Sequence, residues 1–253
     1  MSATTRRNLV KKAQQLLIFA AAACLIYIVV GFDHSRKGQV CQGLDITVEE
    51  GADTTFANIN DVRGLLVAAD IFPEGQHLDS ISLAHMEQVL TASPYISGTL
   101  CYTTTEGKVA IHVSTRRALM HIITPDGQDF YIDSIGHHMP RGRHMADLPL
   151  LTGHISAATA GEHYAPMAVA IMADSLWRSE LSQLYVRADG IIEATPRHGS
   201  FTIELGDTAA IADKLARLTT FCKQALPVTG WDTYDRISVN FNGQVVAHRR
   251  RKR

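Results

Sequence analysis

Residues 83–113 read LAHMEQVLTASPYISGTLCYTTTEGKVAIHV and combine one helical pattern with two strand patterns. The helical part carries apolar residues at the spacing of a single helix face, namely Leu83, Met86, Val89 and Leu90. Pro94 ends this helix, because a proline disfavours helical geometry in the residue before it. Residues 95–103 then predict a strand, and Glu106-Gly107 predicts a turn. Alternating apolar residues predict the next strand, at Val109, Ile111 and Val113.

The residues upstream complete a small module around this stretch. Alternation of apolar and polar residues predicts a half-buried strand, at Leu44, Ile46 and Val48. A helix with one apolar face follows, at Val62, Leu65, Leu66 and Ala69, and Asn58 or Asn60 is its expected N-cap. The order is β-α-α-β-β, which predicts an α+β module with two helices on one face of a three-stranded sheet. An edge of such a sheet is free to pair with a strand of another chain.

Strand patterns dominate the residues beyond Arg116. Strands are predicted at residues 118–124, 128–133, 184–187, 191–194 and 201–205, with a short apolar run at 148–153. One helix is predicted over residues 165–177, and Asp207 caps another that carries Ile211, Leu215, Leu218 and Cys222 on one side. Near the end, Ile237, Val239 and Phe241 alternate with polar residues and predict a strand, and Asn242-Gly243 predicts a tight turn. We expect a mostly antiparallel β domain with two helices packed on its sheet.

A membrane anchor is predicted near the N-terminus. Leu16–Phe32 contains no charge, and counting from Ala13 gives a helix of about 25 to 30 Å, close to the hydrocarbon thickness of a bilayer. Basic residues before it, at Arg6, Arg7, Lys11 and Lys12, predict a cytoplasmic N-terminus. A cleaved signal peptide or a lipoprotein site at Cys24 is the alternative. The bulky apolar residues 25–30 favour an uncleaved anchor.

Composition and cysteine content agree with a globular region beyond the anchor. The net charge is −1 and hydrophobic residues make up 46% of the chain, so this region can bury a core. Four cysteines are present, at Cys24, Cys41, Cys101 and Cys222. A disulfide between Cys41 and Cys101 and buried free thiols both stay open.

Sequence motifs of catalysis are absent from the chain. It contains no GxxxxGK[ST], GxGxxG, GxSxG, HExxH or SxxK, so no enzyme class has positive support. Four histidines raise the question of a metal site, at His137, His138, His144 and His154. Adjacent histidines on a strand point to opposite sides, so exposed loop histidines are the favoured interpretation. We expect no metal, no cofactor and no catalytic residue, including at Glu162-His163.

The chain ends in a basic tail, residues 249–253. Its predicted position outside the cytoplasm excludes nucleic acid as a partner. A solvated, disordered end is the favoured interpretation, and contact with anionic lipid headgroups or an acidic partner is the alternative.

Short stretches along the whole chain resemble the FtsQ/DivIB family of bacterial cell-division proteins. They are CQGLDI at 41–46, SPYI at 93–96, STRRAL at 114–119, FYIDSIG at 130–136, LPLLTG at 148–153, GWD at 230–232, Ile237, and GQVV at 243–246. Their order and spacing carry the resemblance. The Asn242-Gly243 turn and the basic tail depart from the usual family pattern.

The resemblance implies a bitopic scaffold without enzymatic activity. The implied parts are a cytoplasmic tail (1–12), a transmembrane helix (13–32), a POTRA-like module (33–115), a β-rich FtsQ-type domain (116–248) and the basic tail. Such proteins lie in the cell inner membrane, with the large domain in the periplasm, and gather at the division septum. They link early division proteins to septal peptidoglycan synthesis.

The resemblance also implies FtsB- and FtsL-like division proteins as partners. Members of the family add a strand from FtsB near their last strands, which implies partner-binding residues at Tyr234, Ile237, Val239, Phe241, Val245 and Val246. Because residues of a strand alternate between faces, only part of this set can contact a partner, and the rest would be core residues.

Two other functions stay open. A POTRA-containing transport or secretion accessory would share the first module, but it would normally come with a barrel or further POTRA repeats. An anchored extracytoplasmic hydrolase would use the histidines, and it would hold a metal.

Overall fold

The computed structural model describes residues 24, 38–49, 56–142 and 145–251. These fall into two compact units, one made of residues 38–47, 63–89 and 100–112 and the other of residues 48–62, 90–99 and 113–251. The predicted anchor lies outside the described residues except for Cys24. No helix among the described residues has both the length and the apolarity to cross a membrane. The predicted domain boundary after residue 115 stays a prediction.

The N-terminal elements follow the predicted β-α-α-β-β order. They are β1 (Leu44–Glu49), α1 (Ile59–Ala68), α2 (Leu83–Thr91), β2 (Ile96–Thr103) and β3 (Val109–Thr115), with a 3-10 turn at Leu78–Ser80. The three strands form one sheet in the order β1-β3-β2. The α+β module is therefore confirmed, and β1 and β2 are its two edges.

The starts of both helices are fixed by polar side chains. The Asn58 carboxamide oxygen accepts the N–H groups of Asn60 (2.8 Å) and Asp61 (3.2 Å), and the Asp61 carboxylate accepts the Asn58 N–H (2.9 Å). This reciprocal pair makes Asn58 the N-cap of α1. Ser82 caps α2 by accepting the His85 N–H at 3.4 Å.

The C-terminal elements build a single large sheet. They are β4 (Met120–Ile123), β5 (Asp129–Ile132), β6 (His138–Pro140), β7 (Leu150–Gly153), α3 (Ala157–Ala173), α4 (Trp177–Glu180), β8 (Leu181–Val186), β9 (Ile192–Pro196), β10 (Thr202–Gly206), α5 (Ile211–Gln224), α6 (Leu226–Thr229), β11 (Tyr234–Ser238) and β12 (Val246–Arg249). The strand order is β12-β11-β10-β9-β8-β7-β4-β5-β6.

The sheet contains more parallel pairing than the sequence predicted. The pairs β4–β7, β7–β8 and β10–β11 are parallel, and the remaining pairs are antiparallel. Two of the parallel pairs are joined by helices, α3 and α4 between β7 and β8, and α5 and α6 between β10 and β11. A parallel connection needs such a crossover, because the chain must return to the starting end of the sheet.

The first long helix of this unit differs from its predicted limits. It begins at Ala157 rather than residue 165 and continues through Pro166. It ends at Ala173, because Asp174 has an extended backbone and its carboxylate accepts the N–H groups of Leu176 (2.9 Å) and Trp177 (3.0 Å). These bonds start the short α4, so Trp177 belongs to the next helix.

The predicted cap at Asp207 is also displaced. Ala210 is the N-cap of α5 and has a left-handed backbone with φ of 50°. Asp207 lies in the preceding turn, where its carboxylate accepts the Ala209 N–H at 3.2 Å and pairs with the buried Lys214 ammonium at 2.6 Å.

The core of this unit lies between the nine-stranded sheet and the long helices. Its buried side chains include Met167 and Ile171 from α3, Leu215 and Leu218 from α5, and Leu184, Leu151 and Ile203 from the sheet. The thiols of Cys41, Cys101 and Cys222 are buried and free, so the structure contains no Cys41–Cys101 disulfide. Burial raises the pKa of the Cys101 and Cys222 thiols to about 11.

A candidate strand-docking edge at β12

The last strand, β12, forms one edge of the nine-stranded sheet. It pairs antiparallel with β11, with Val246 opposite Ser238 and Ala247 opposite Ile237. No other strand among the described residues pairs with it. Its second side therefore carries main-chain N–H and C=O groups that can pair with a strand from another chain.

The hydrogen-bond pattern indicates which groups face outward. The Arg250 N–H donates to the Thr233 carbonyl at 2.9 Å, toward β11. Because inward and outward groups alternate along an antiparallel strand, the N–H groups of His248 and Val246 are expected on that same side. Those of Ala247 and Arg249 are then expected to point to the free side.

The opposite edge of the sheet is closed. It is formed by β6, which has only three residues and ends in Pro140. Proline has no N–H group, and the Pro140 carbonyl accepts the Tyr95 hydroxyl at 2.8 Å. A short edge that contains a proline is a poor template for strand addition. The two edges therefore differ, and β12 is the edge with the longer strand and no proline.

The six predicted partner-binding residues divide between the core and the surface. Tyr234 and Ile237 lie on β11, and Val239 follows that strand; all three are buried. Phe241 is 53% exposed, in the connection between β11 and β12. The remaining two, Val245 and Val246, are half-buried at the start of β12. The structure therefore buries Tyr234, Ile237 and Val239, exposes Phe241 in the connection, and leaves Val245 and Val246 half-buried, with Val245 packed against the core.

The connection between β11 and β12 is held by α5. The Arg217 guanidinium donates through Nη2 to the carbonyls of Val239 (2.9 Å) and Phe241 (3.4 Å), and Nη1 pairs with Asp213. Arg217 Nε is buried without a hydrogen-bond partner. These bonds fix the main chain that carries Phe241. Arg217 does not belong to the predicted apolar side of this helix, so the sequence pattern did not indicate this role.

The surface around β12 is strongly basic. An open cavity of about 920 Å³ is lined by Trp231, Asp232 and Arg249 to Arg251, among others. Arg249 belongs to β12, and the Arg250 guanidinium donates to the Ser200 hydroxyl at 2.7 Å. Residues 249 and 250 are thus bound to the fold, and for them the expected disordered tail is wrong. The basic composition of the tail could not predict the hydrogen bond between Arg250 and Ser200, because these residues are far apart in the sequence.

Among the residues that the structure describes, the histidines do not assemble a metal centre. His138 stacks on Phe130 with ring centroids 4.3 Å apart, and burial, followed by the charge of His137, lowers its pKa. His154 is exposed, and His144 lies outside the described residues. Within the described part of the chain, no three or more ligating side chains form a group that could hold a metal. The stretch at 131–140 is a strand, a turn and a strand, so the expected exposed loop is wrong for His138, which is half-buried on β6.

Comparison with protein families shows which family the chain belongs to. A family model described as FtsQ/DivIB, C-terminal related, matches residues 118–248, slightly more than half of the chain. The chain belongs to the FtsQ/DivIB family. A model described as a POTRA-like domain matches residues 39–114, where β1 to β3 lie. No curated protein matches the chain. Membership assigns this FtsQ/DivIB protein a role in bacterial cell division, in a family of non-enzymatic scaffolds.

Proposed function

We propose that this FtsQ/DivIB protein is a membrane-anchored scaffold of the division septum that captures partner strands at β12. Residues 13–32 form its anchor, residues 1–12 are cytoplasmic, and the folded region lies in the periplasm. Its partners are FtsB- and FtsL-like division proteins, and through them it links early division proteins to septal peptidoglycan synthesis. The hydrophobicity of Leu16–Phe32, the basic residues before it and the family membership support this placement.

One observation carries the docking proposal, namely the difference between the two edges of the nine-stranded sheet. The β12 edge is unpaired, and the β6 edge is short and closed by Pro140. In β-augmentation the main-chain hydrogen bonds supply affinity, and the side chains next to the edge supply specificity. The exposed Phe241, in the connection that leads to β12, and the half-buried Val246, on β12 itself, are the proposed apolar contacts, while Val245 packs partly against the core. Tyr234, Ile237 and Val239 support it from the core.

A backbone-specific variant tests this proposal. Ala247→Pro removes an N–H that is expected to face the free side, while leaving the bonds between β12 and β11 in place. Ala247→Ser is the matched control, because it has a similar size and retains the N–H. Both variants of the full chain, in detergent or nanodiscs, are titrated with the FtsB-like protein of the same genome.

We expect Ala247→Pro to weaken binding by about tenfold or more, which corresponds to the loss of about 1.4 kcal/mol from one main-chain bond and its neighbours. Ala247→Ser is expected to bind as the unchanged chain does, and circular dichroism should show both variants folded. Equal affinity of the folded proline variant would remove β12 as the docking edge. Even distribution of a fluorescent fusion in dividing cells would contradict the septal scaffold itself.

A further inference from the structure

A second surface, at the far end of the same sheet, has the character of a protein-docking groove. It is an open cavity of about 550 Å³ between the C-terminal half of α3, the turn from β5 to β6, and the residues that lead into β4. All its lining residues belong to one compact unit. Strand β5 is seven positions from β12 in the sheet, a distance of about 34 Å at 4.8 Å per strand. One short segment therefore cannot fill both sites.

Two large apolar side chains line this groove and are exposed, and together with the apolar residues of α3 they are called its apolar wall. Ile135, in the turn, is 77% exposed, and Val169, on α3, is 41% exposed. Met172 and Ala173 continue this wall along the helix. Helix α3 carries three ionisable side chains, Glu162, His163 and Tyr164, and all of them come before this half of the helix. Contiguous exposed apolar surface of this kind marks interaction sites on folded proteins.

The exposure of Ile135 is fixed by the structure around it. The buried Asp133 carboxylate accepts the N–H groups of Ile135 (3.0 Å) and His137 (2.8 Å), which locks the turn. Gly136, with φ of 80°, packs directly on Gly161 of α3, and a Cβ on Gly136 would lie 2.5 Å from the Gly161 carbonyl carbon. No larger residue fits at this contact. The turn is therefore held rigidly against α3, with Ile135 presented to solvent.

The rim of the groove carries an uncompensated positive charge. Arg116 pairs with Asp133 at 2.9 Å, so these two charges offset each other. Arg117, beside them, is exposed and forms no ion pair within the described part of the chain. Among the described residues, Asp133 is the only carboxylate that lines the groove, and it is already paired with Arg116. An apolar wall with a free guanidinium complements an apolar ligand that carries a carboxylate.

We propose that this groove binds an amphipathic segment of a partner protein, with apolar side chains on Ile135 and Val169 and a carboxylate on Arg117. A helix in a groove is the recognition mode that this shape and chemistry fit. The site goes beyond the proposed strand capture, since it is remote from β12 and uses side chains rather than main-chain groups. It gives the scaffold a second, simultaneous docking surface.

Site-specific photo-crosslinking in dividing cells tests the proposal. The full chain carries p-benzoylphenylalanine in place of Ile135, in place of Val169, or in place of Met145 as the control. Met145 is 78% exposed and does not line the groove. Mass spectrometry identifies the linked peptide. We expect positions 135 and 169 to link to the same protein, on a segment with apolar and acidic residues, and position 145 not to do so.

The charge and the apolar wall are tested separately. Arg117→Glu is expected to lower the crosslink yield at position 169 by about tenfold, because a like charge would face the partner carboxylate. Reversal of that carboxylate to lysine should restore the yield. Ile135→Asp should lower the yield at position 169 as well, with a far-ultraviolet spectrum that shows the fold intact. Crosslinks at 135 and 169 should persist in Ala247→Pro, which separates this site from the β12 edge.

Three results would overturn the inference. The first is a yield at positions 135 and 169 no higher than at 145. The second is a yield that Arg117→Glu leaves unchanged. The third is attachment to lipid alone or to a second copy of this chain instead of an acidic partner segment.

Discussion

Replacing Val239 with alanine removes two buried carbon atoms from the connection between β11 and β12. Val239 is completely buried, so at about 0.8 kcal/mol per buried carbon the lost transfer energy is about 1.6 kcal/mol. The cavity left behind adds to this cost, because neighbouring core atoms relax only in part, and the expected total is about 2 to 3 kcal/mol. Phe241, two residues later, is 53% exposed, and its truncation to alanine should change the free energy of unfolding by no more than about 0.5 kcal/mol.

In partner binding we expect the opposite order, with the larger loss of affinity on substitution of Phe241 and the smaller loss on substitution of Val239. Phe241→Glu is expected to weaken capture of the FtsB-like protein, because it puts a charge in place of an exposed apolar ring in the connection that leads to the edge strand β12. Val239→Glu is unsuitable for the same test, since it would bury an unpaired charge and unfold the domain. The free energies of unfolding come from urea titrations followed by circular dichroism on the region from Gly38 onward. A cost below about 1 kcal/mol for Val239→Ala, or above it for Phe241→Ala, would refute the assignment of Val239 to the core and Phe241 to the surface.

Two further variants test local features of the same unit. Gly206→Ala places a Cβ 2.0 Å from Asn240 Oδ1, but the exposed Asn240 side chain can rotate away. The expected loss in the free energy of unfolding therefore comes from the strain of the left-handed backbone at φ of 79° and is about 1 to 2 kcal/mol. Adding Asn240→Ala should therefore not restore stability in a urea titration, and full recovery would show that the clash dominates. At Asp129, burial raises the pKa, but hydrogen bonds from His121 (2.5 Å) and Arg141 (2.9 Å) outweigh it and hold the pKa below 3.8. The stability from this carboxylate is present above pH 3.8 and is lost as pH falls through the folded-state pKa. Asp129→Asn should therefore flatten the pH dependence of the free energy of unfolding below pH 3.8. An unchanged pH dependence in this acidic range would contradict the assignment.

Local patterns in the sequence predicted most of the elements. Alternation located β1 and β3, helical spacing located α1 and α2, and the β-α-α-β-β order follows from them. These patterns succeed because a residue's side of a helix or strand depends on the geometry of a few neighbours. They failed at α3, where Pro166 lies inside the helix and the end is set by the side chain of Asp174. Whether a helix continues past a proline depends on the packing around it, which short patterns do not contain.

The predicted partner-binding residues also show what local patterns can and cannot predict. Alternation indicated that only part of the predicted set could be exposed, but it did not show which part. The strand β11 ends at Ser238, and the alternation that the sequence extends to Phe241 holds at Val239 but fails at Phe241. Val239 then turns into the core, and Phe241 turns outward on a connection that Arg217 holds. The sequence pattern also did not predict the parallel pairing of β10 with β11, because this pairing depends on the crossover through α5.

The sequence by itself determined the order of the N-terminal elements, the apolar segment at 16–32, the lack of catalytic motifs and the family to which the chain belongs. Each depends on residues close together in the chain or on the order of short stretches along it. Only the tertiary structure decided which edge of the large sheet is open, which of the six predicted residues are buried, and that Ile135 and Val169 line one groove with Arg117. These features depend on contacts between residues far apart in sequence, such as Gly136 on Gly161, and burial is settled by the whole fold rather than by any segment of it.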